Sequence, residues 1–263
     1  MHGSDIKEGK IELIADCDGV LKIRRDALLA VNSLGEMMIA PRHGDFPVKK
    51  GDKIAGTRII PLVIEKIQKW IRQRKVAGTK PIFPSFRTVL KKVGIITTGS
   101  EVQKGLIKDT FTPVLKEKLD EFSCQILGQT LPGDERSQIT SDILSFIDQG
   151  ADMVICSGGM SVDPDDRTPG AIKDTGAEIV TYGAPVLPGA MLLLSYYQNN
   201  DKIIPILGLP GCVMYARRTV FDLILPRIMA DDRICADEIA SYGEGGLCLN
   251  CDVCTFPNCG FGK

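Results

Sequence analysis

Met153-Val154-Ile155-Cys156-Ser157-Gly158-Gly159-Met160-Ser161-Val162-Asp163-Pro164-Asp165-Asp166-Arg167-Thr168-Pro169 is an apolar run that stops at a hydroxyl and two glycines, passes through a group of acids, and reaches Thr-Pro. Met153–Cys156 reads as a buried strand. Thr168-Pro169 reads as a helix start, with a hydroxyl cap followed by proline, which needs no backbone partner in the first turn. The loop between them therefore lies beyond the C-terminal end of a strand, where an open parallel sheet binds its ligands.

The same strand–loop–helix grammar extends to both sides. Val93–Ile96 is a strand that ends in Thr97-Thr98-Gly99-Ser100-Glu101, and a helix follows from Thr110, which is placed to cap it, with Pro113 in its first turn. Cys124–Leu127 is the next strand, and Asp134 opens a helix carrying Ile139, Ile143, Phe146 and Ile147. Ile179–Tyr182, Met191–Ser195 and Ile203–Leu207 are further strands; Gly208-Leu209-Pro210-Gly211 then leads to a helix over Tyr215–Met229. This alternation predicts an α/β fold: a mostly parallel sheet with helices on both faces. Before it, residues 1–85 form a small β-rich segment with short strands at Ile11–Ala15, Gly19–Ile23 and Met37–Ala40. That segment also holds a helix over Asp26–Leu34 capped by Asp26, and a linking helix over Leu62–Val76 with Leu62, Ile64, Ile67 and Ile71 on one face. Trp70 on this helix reads as a packing residue. Gly78-Thr79-Lys80-Pro81 ends it and begins a linker. The α/β domain covers 86–232, and a short helix and Cys-rich tail cover 233–263.

Composition bounds the function. Hydrophobic residues are 44%, charged residues 25%, and the net charge is −1. Such a balance argues against nucleic-acid binding and against a basic membrane contact. No apolar run approaches the roughly 18 residues of a membrane span, and the N-terminus lacks a signal-peptide pattern, so the expected location is cytoplasmic. Of the nine cysteines, five are scattered, three of them in apolar contexts that suit buried thiols. The other four crowd the C-terminus as Cys248-x2-Cys251-x2-Cys254-x4-Cys259. In a reduced compartment this spacing points to Zn²⁺ or an iron–sulfur cluster rather than to disulfides.

Three glycine-bearing loops at strand ends, Thr97–Glu101, Ser157–Thr168 and Gly208–Gly211, should converge at one edge, where glycine lets the backbone approach a ligand. The acids among and around them are Glu101, Asp109, Asp134, Asp163, Asp165 and Asp166. Carboxylates beside phosphate-binding loops suit Mg²⁺, with Asp163 and Asp166 placed to ligate it. Asp166, just before a helix start, is favoured in its ionised form.

Thr97-Thr98-Gly99-Ser100-Glu101, Asp109-Thr110, Asp134, Ser157-Gly158-Gly159-Met160-Ser161-Val162 with Asp166, Pro188-Gly189 and Gly208-Leu209-Pro210-Gly211 together resemble the molybdopterin-binding domain of molybdenum-cofactor biosynthesis, most of all that of the molybdopterin molybdenumtransferases. The resemblance covers the whole second region. It implies Mg²⁺-dependent insertion of molybdate into adenylylated molybdopterin, with Glu101, Asp134 and Asp166 catalytic. Thr98, Gly99, Ser100, Gly158, Gly159, Ser161, Thr168, Pro188, Gly189, Gly208, Pro210 and Gly211 would contact the pterin and its phosphate. It also implies a homo-oligomer, and a cofactor-accepting enzyme as a possible partner.

Two departures stand out. The transferases carry Pro-Gly-Lys-Pro where this chain has Pro188-Gly189-Ala190-Met191. They carry Gly-Leu-Pro-Gly-Asn-Pro where this chain has Gly208-Leu209-Pro210-Gly211-Cys212-Val213. These keep open a non-catalytic carrier or sensor of molybdopterin. Asp166-Arg167-Thr168-Pro169 also resembles the adenylyltransferase ending, and Asp165–Thr168 an element of the competence/damage-inducible nucleotide pyrophosphatases.

Overall fold

In a computed structural model, which describes residues 1–60, 66–106, 108–160 and 166–263, the chain divides into two compact units. The first is 1–89 with 230–232, and the second is 90–229 with 233–263. Leu62, Ile64, Ser161 and Asp163, and the side chains of Ile67 and Trp70, lie outside the described residues.

The first unit runs β1 (His2–Gly3), β2 (Lys10–Ile14), β3 (Gly19–Leu21), α1 (Arg25–Asn32), β4 (Met37–Pro41), β5 (Pro47–Val48), β6 (Lys53–Ile59), α2 (Lys66–Ala77) and β7 (Ser85–Arg87). Its sheets are antiparallel, ordered β1-β2-β6-β4 and β5-β3-β7. Leu21, Val48, Ile54, Ala55 and Phe83 form its core. Three details differ from expectation. Helix α1 starts without a side-chain cap, so Asp26 sits inside its first turn. On α2, Ile71 is exposed while Gln73 is buried. Ser85–Arg87, in the stretch read as a linker, is a strand because it completes the hydrogen bonding of Gly19–Leu21.

The second unit runs β8 (Lys92–Thr98), α3 (Ser100–Gln103), α4 (Phe111–Asp120), β9 (Gln125–Gly133), α5 (Arg136–Asp148), β10 (Met153–Ser157), α6 (Thr168–Asp174), β11 (Glu178–Tyr182), β12 (Leu193–Asn199) and β13 (Lys202–Leu209). A 3₁₀ turn (Gly211–Met214), α7 (Val220–Met229) and α8 (Ala236–Ser241) follow. Among its described residues is a six-stranded sheet ordered β11-β12-β13-β10-β8-β9. Strands β13, β10, β8 and β9 are parallel, but β12 is antiparallel to both β11 and β13. Among these six strands β12 alone runs against the rest, so the sheet is mixed and the expectation of a mostly parallel sheet holds in part: the short connection between β12 and β13 permits only a hairpin, since a parallel return needs a longer crossover.

Alternation along the strands sends side chains to both faces. Ile96, Val154 and Cys156 pack with Ile139, Ile143 and Phe146 of α5 and Ile172 of α6. Val93, Ile95, Met153 and Ile155, equally buried, face the other way. Leu115 and Leu119 of α4 and Phe221 and Ile224 of α7 are buried outside that first cluster. Lys118 and Asp222, both nearly inaccessible, join α4 to α7 through a 2.6 Å ion pair.

Helix starts differ from the sequence reading for local reasons. Asp109 rather than Thr110 caps α4, accepting from the Phe111 and Thr112 amides at 2.9 and 3.1 Å. Glu135, not Asp134, caps α5 by accepting from the Ser137 amide. Helix α7 begins at Val220 because Thr219 and Asp222 close a reciprocal cap: Asp222 accepts from the Thr219 amide (2.8 Å) and the Thr219 hydroxyl from the Phe221 amide (3.2 Å). Of the scattered cysteines, Cys156 is buried, Cys17, Cys124 and Cys212 are half-buried and Cys235 is exposed. No helix among the described residues is long and apolar enough to cross a membrane.

Candidate functional site

Strand order places β9 on one side of β8 and β10 on the other. The crevice beyond the C-terminal ends of β8 and β10 is thus a topological switch point, the position at which open α/β sheets bind ligands. The Thr98 and Ser157 ends of these strands open into it, and β13 ends beside them in Leu209-Pro210-Gly211.

Beside this crevice, over the ends of β10 and β13, lies a cavity of about 640 Å³, within the roughly 300–1,000 Å³ of small-molecule sites. Three separate loops line it: Gly158, Gly159, Met160 and Asp166 after β10; Leu187–Met191 before β12; and Pro210–Cys212 after β13. Phe111 at the start of α4, and Leu247 and Cys248 from the tail, complete the wall. Among the described residues the one charged lining side chain is Asp166. It lies near enough to Tyr182 that, after burial, its charge is the second cause raising that phenol's pKa.

The floor is built from hydroxyls. Thr168 donates to the Gly158 carbonyl (2.9 Å), Thr98 donates to the Ser157 carbonyl (3.3 Å), and the two hydroxyls meet at 3.2 Å. Both threonines are almost fully buried, so they hold the Gly158-Gly159 turn from beneath rather than lining the cavity. Gly158 adopts φ +86°, and a Cβ there would stand 2.5 Å from the Thr98 carbonyl oxygen. Gly189, at φ +124°, lies so close to α7 that a Cβ would sit 2.5 Å from Val220 Cγ1; the Val220 amide donates to the Pro188 carbonyl at 3.1 Å. Gly208 is buried below the cavity, with Met160 Sδ 2.7 Å from where its Cβ would be.

The structure therefore gathers Gly158, Gly159, Asp166, Pro188, Gly189, Pro210 and Gly211 around one cavity. Thr98, Thr168 and Gly208 support it from below. Gly99, with Ser100 and Glu101 at the start of α3, and Asp134 in the β9–α5 connection are outside the lining: Asp134 accepts from the Ser100 amide at 2.8 Å and so anchors the start of α3. Among the described residues no three His, Cys, Asp or Glu side chains converge as the shell of a single ion. Sequence motifs did not single out Phe111, Leu187 or Leu247, because apolar lining carries no spacing signal. Both departures from the transferase pattern, Ala190 and Cys212, face the cavity. Burial pushes the Cys212 thiol above its ordinary pKa against one opposing backbone hydrogen bond, which keeps it protonated and poorly nucleophilic at neutral pH.

The cavity lies in the stretch that matches known proteins. A molybdopterin molybdenumtransferase of Synechococcus elongatus is 25% identical over 157 residues, 57% of this chain and 38% of that protein. A CinA-like protein of Mycolicibacterium gilvum is 36% identical over 77 residues, 29% of this chain and 18% of that protein. The chain thus spans well under half the length of these relatives. Among solved structures, the tungsten cofactor synthesizing protein MoaB of Pyrococcus furiosus aligns with TM-score 0.45 and 17% identity, covering 55% of this chain and 98% of that one. Residues 94–230, just over half of the chain, match the family described as a probable molybdopterin binding domain, and to that molybdenum-cofactor biosynthesis family the chain belongs.

Proposed function

We propose that the cavity takes molybdopterin or its adenylylated form and that the chain uses it in Mg²⁺-dependent molybdate insertion. The observation that carries this reading is the meeting of the Gly158-Gly159 turn, Asp166, Pro188-Gly189 and Pro210-Gly211 around one cavity inside the family-matched region. Phe111, Met160 and Met191 offer apolar walls for a flat ring system. The glycine turn lets backbone approach a phosphate. Asp166 would hold Mg²⁺ against that phosphate, with Asp163 as its partner ligand; Glu101 would act from α3 and Asp134 from the β9–α5 connection. Such an ion screens phosphate charge and orients an attacking water or oxyanion.

A carrier of molybdopterin is the second reading. Ala190 and Cys212 favour it, since both face the cavity where the transferase pattern has a lysine and an asparagine. A nucleotide pyrophosphatase is the third, favoured by the CinA-like relatives.

Calorimetry with molybdopterin, adenylylated molybdopterin and ADP-ribose, each with and without Mg²⁺, followed by a molybdate-insertion assay, separates the three. The expected outcome is tight binding of the adenylylated pterin with turnover. Asp166→Asn should lower that turnover by more than about 100-fold, the scale of removing one electrostatic stabiliser of a transition state, while binding without Mg²⁺ persists. Binding without turnover would identify a carrier, and hydrolysis of ADP-ribose a pyrophosphatase.

A further inference from the structure

The four tail cysteines are not used by the pterin cavity, apart from Cys248 at its edge. Cys248, Cys251, Cys254 and Cys259 line a second cavity of about 230 Å³, closed by Phe256 and Phe261. All four thiols are free of disulfides, and residues 247–263 contain neither helix nor extended strand. So short an irregular lobe has little core of its own, the situation in which small folds depend on a metal or covalent staple.

What holds the lobe in the structure is a set of contacts around its rim. The Cys248 amide donates to the Leu187 carbonyl and the Leu187 amide to the Gly246 carbonyl, both at 2.8 Å. Arg217 Nη1 donates to the Cys251 and Asp252 carbonyls at 3.3 and 2.7 Å. The Arg218 guanidinium lies 5.0 Å from the Phe256 ring centre. These contacts fix the chain around the cavity that the four cysteines line, with Cys251 and Cys254 still exposed.

The nature of the occupant follows from spacing and charge. A tetrahedral Zn²⁺ site needs four sulfurs at about 2.3 Å from one point, a shell that leaves no void. Here the thiols stand around a void, and no three of them converge as a single-ion shell. A polynuclear cluster separates its cysteine ligands in this way, each bound to a different corner or edge. Four thiolates around a cluster also carry net negative charge, and two guanidiniums, Arg217 and Arg218, line the same cavity.

We propose that Cys248, Cys251, Cys254 and Cys259 hold an iron–sulfur cluster in this cavity. Each thiol gives up its proton on ligation, with iron and sulfide supplied from outside the chain. The proposal stands independently of the pterin reading, because it uses none of the Gly158–Asp166 loop.

The test is anaerobic purification of the full chain followed by iron, acid-labile sulfide and zinc analysis. Expected are iron and sulfide in equal numbers and a broad visible absorption that dithionite bleaches. Zinc in place of iron, or neither metal after reconstitution with ferrous iron and sulfide, would overturn the proposal. Cys251→Ala and Cys254→Ala should each lose the chromophore and most of the iron, whereas Cys235→Ala, outside the cavity, should keep both. Loss in all three variants alike, or in none, would also count against it. The wild-type metal analysis does not depend on whether any variant folds.

Discussion

Gly158 shows how much of the site rests on single atoms. Its backbone is left-handed, and the Thr98 carbonyl oxygen fills the space a side chain would need. Gly158→Ala must therefore either strain φ or push Thr98 away, and Thr98 is held in turn by Thr168. The expected loss of stability is about 1–3 kcal/mol, read as a lowered urea midpoint, together with loss of ligand binding. An alanine variant that kept both would show that the turn is not the rigid floor described. Replacing Ala190 or Cys212 tests something different, since those side chains face the ligand space rather than supporting it. Their importance lies in what they lack: neither supplies the fixed positive charge nor the amide that the transferase pattern places there.

At the scale of elements, the start of α4 carries a pH-dependent contribution. Burial works to raise the Asp109 pKa, but hydrogen bonds from Thr112, Gln129 and Phe111 together outweigh it and hold the carboxyl below its ordinary 3.8. A carboxyl depressed on folding stabilises the native state above its unfolded pKa, and that contribution disappears as pH falls through the folded value. Asp109→Ala should cost about 0.5–2 kcal/mol at pH 7, and the gap from wild type should narrow below about pH 4. Equal gaps in denaturant midpoint at pH 7 and pH 3 would refute the assignment. The same element shows where sequence reading stops. Thr110 and Asp109 are both good cap residues, and only the backbone turn decides which side chain faces the free amides. Strands β8 and β10 were legible because uninterrupted apolar runs ending in Thr-Gly or Ser-Gly suit buried parallel strands. The direction of β12 was not, since apolar alternation is the same for either direction and the geometry of its short connection to β13 decides it. Site legibility divides along similar lines. Gly158, Gly159, Pro188, Gly189, Pro210 and Gly211 stand out by backbone chemistry, whereas the roles of Thr98 and Thr168 beneath the floor depend on which way hydroxyls turn.

Across the second unit, the cavity proposed for the pterin and the cysteine cavity share a wall. Leu247 and Cys248 line both, and residue 187 bridges to residue 247 in a parallel pairing. The strap consists of two 2.8 Å backbone hydrogen bonds, one from the Cys248 amide to Leu187 and one from Leu187 to Gly246. It leads straight into Pro188-Gly189, which is itself fixed against α7. If a cluster orders the tail, its removal frees the strap and loosens the Leu187–Gly189 wall, so the ligand must reorder that wall on binding. A net hydrogen bond is worth about 0.5–1.5 kcal/mol, and the two together correspond to an affinity change of roughly 5- to 150-fold. Molybdopterin should therefore bind roughly 5- to 150-fold more weakly to protein stripped of iron by an anaerobic chelator than to the loaded protein. Cys254→Ala, at a residue that lines the cysteine cavity and not the first one, should reproduce the stripped value. Equal affinity in the loaded, stripped and variant proteins would show that the shared wall transmits nothing.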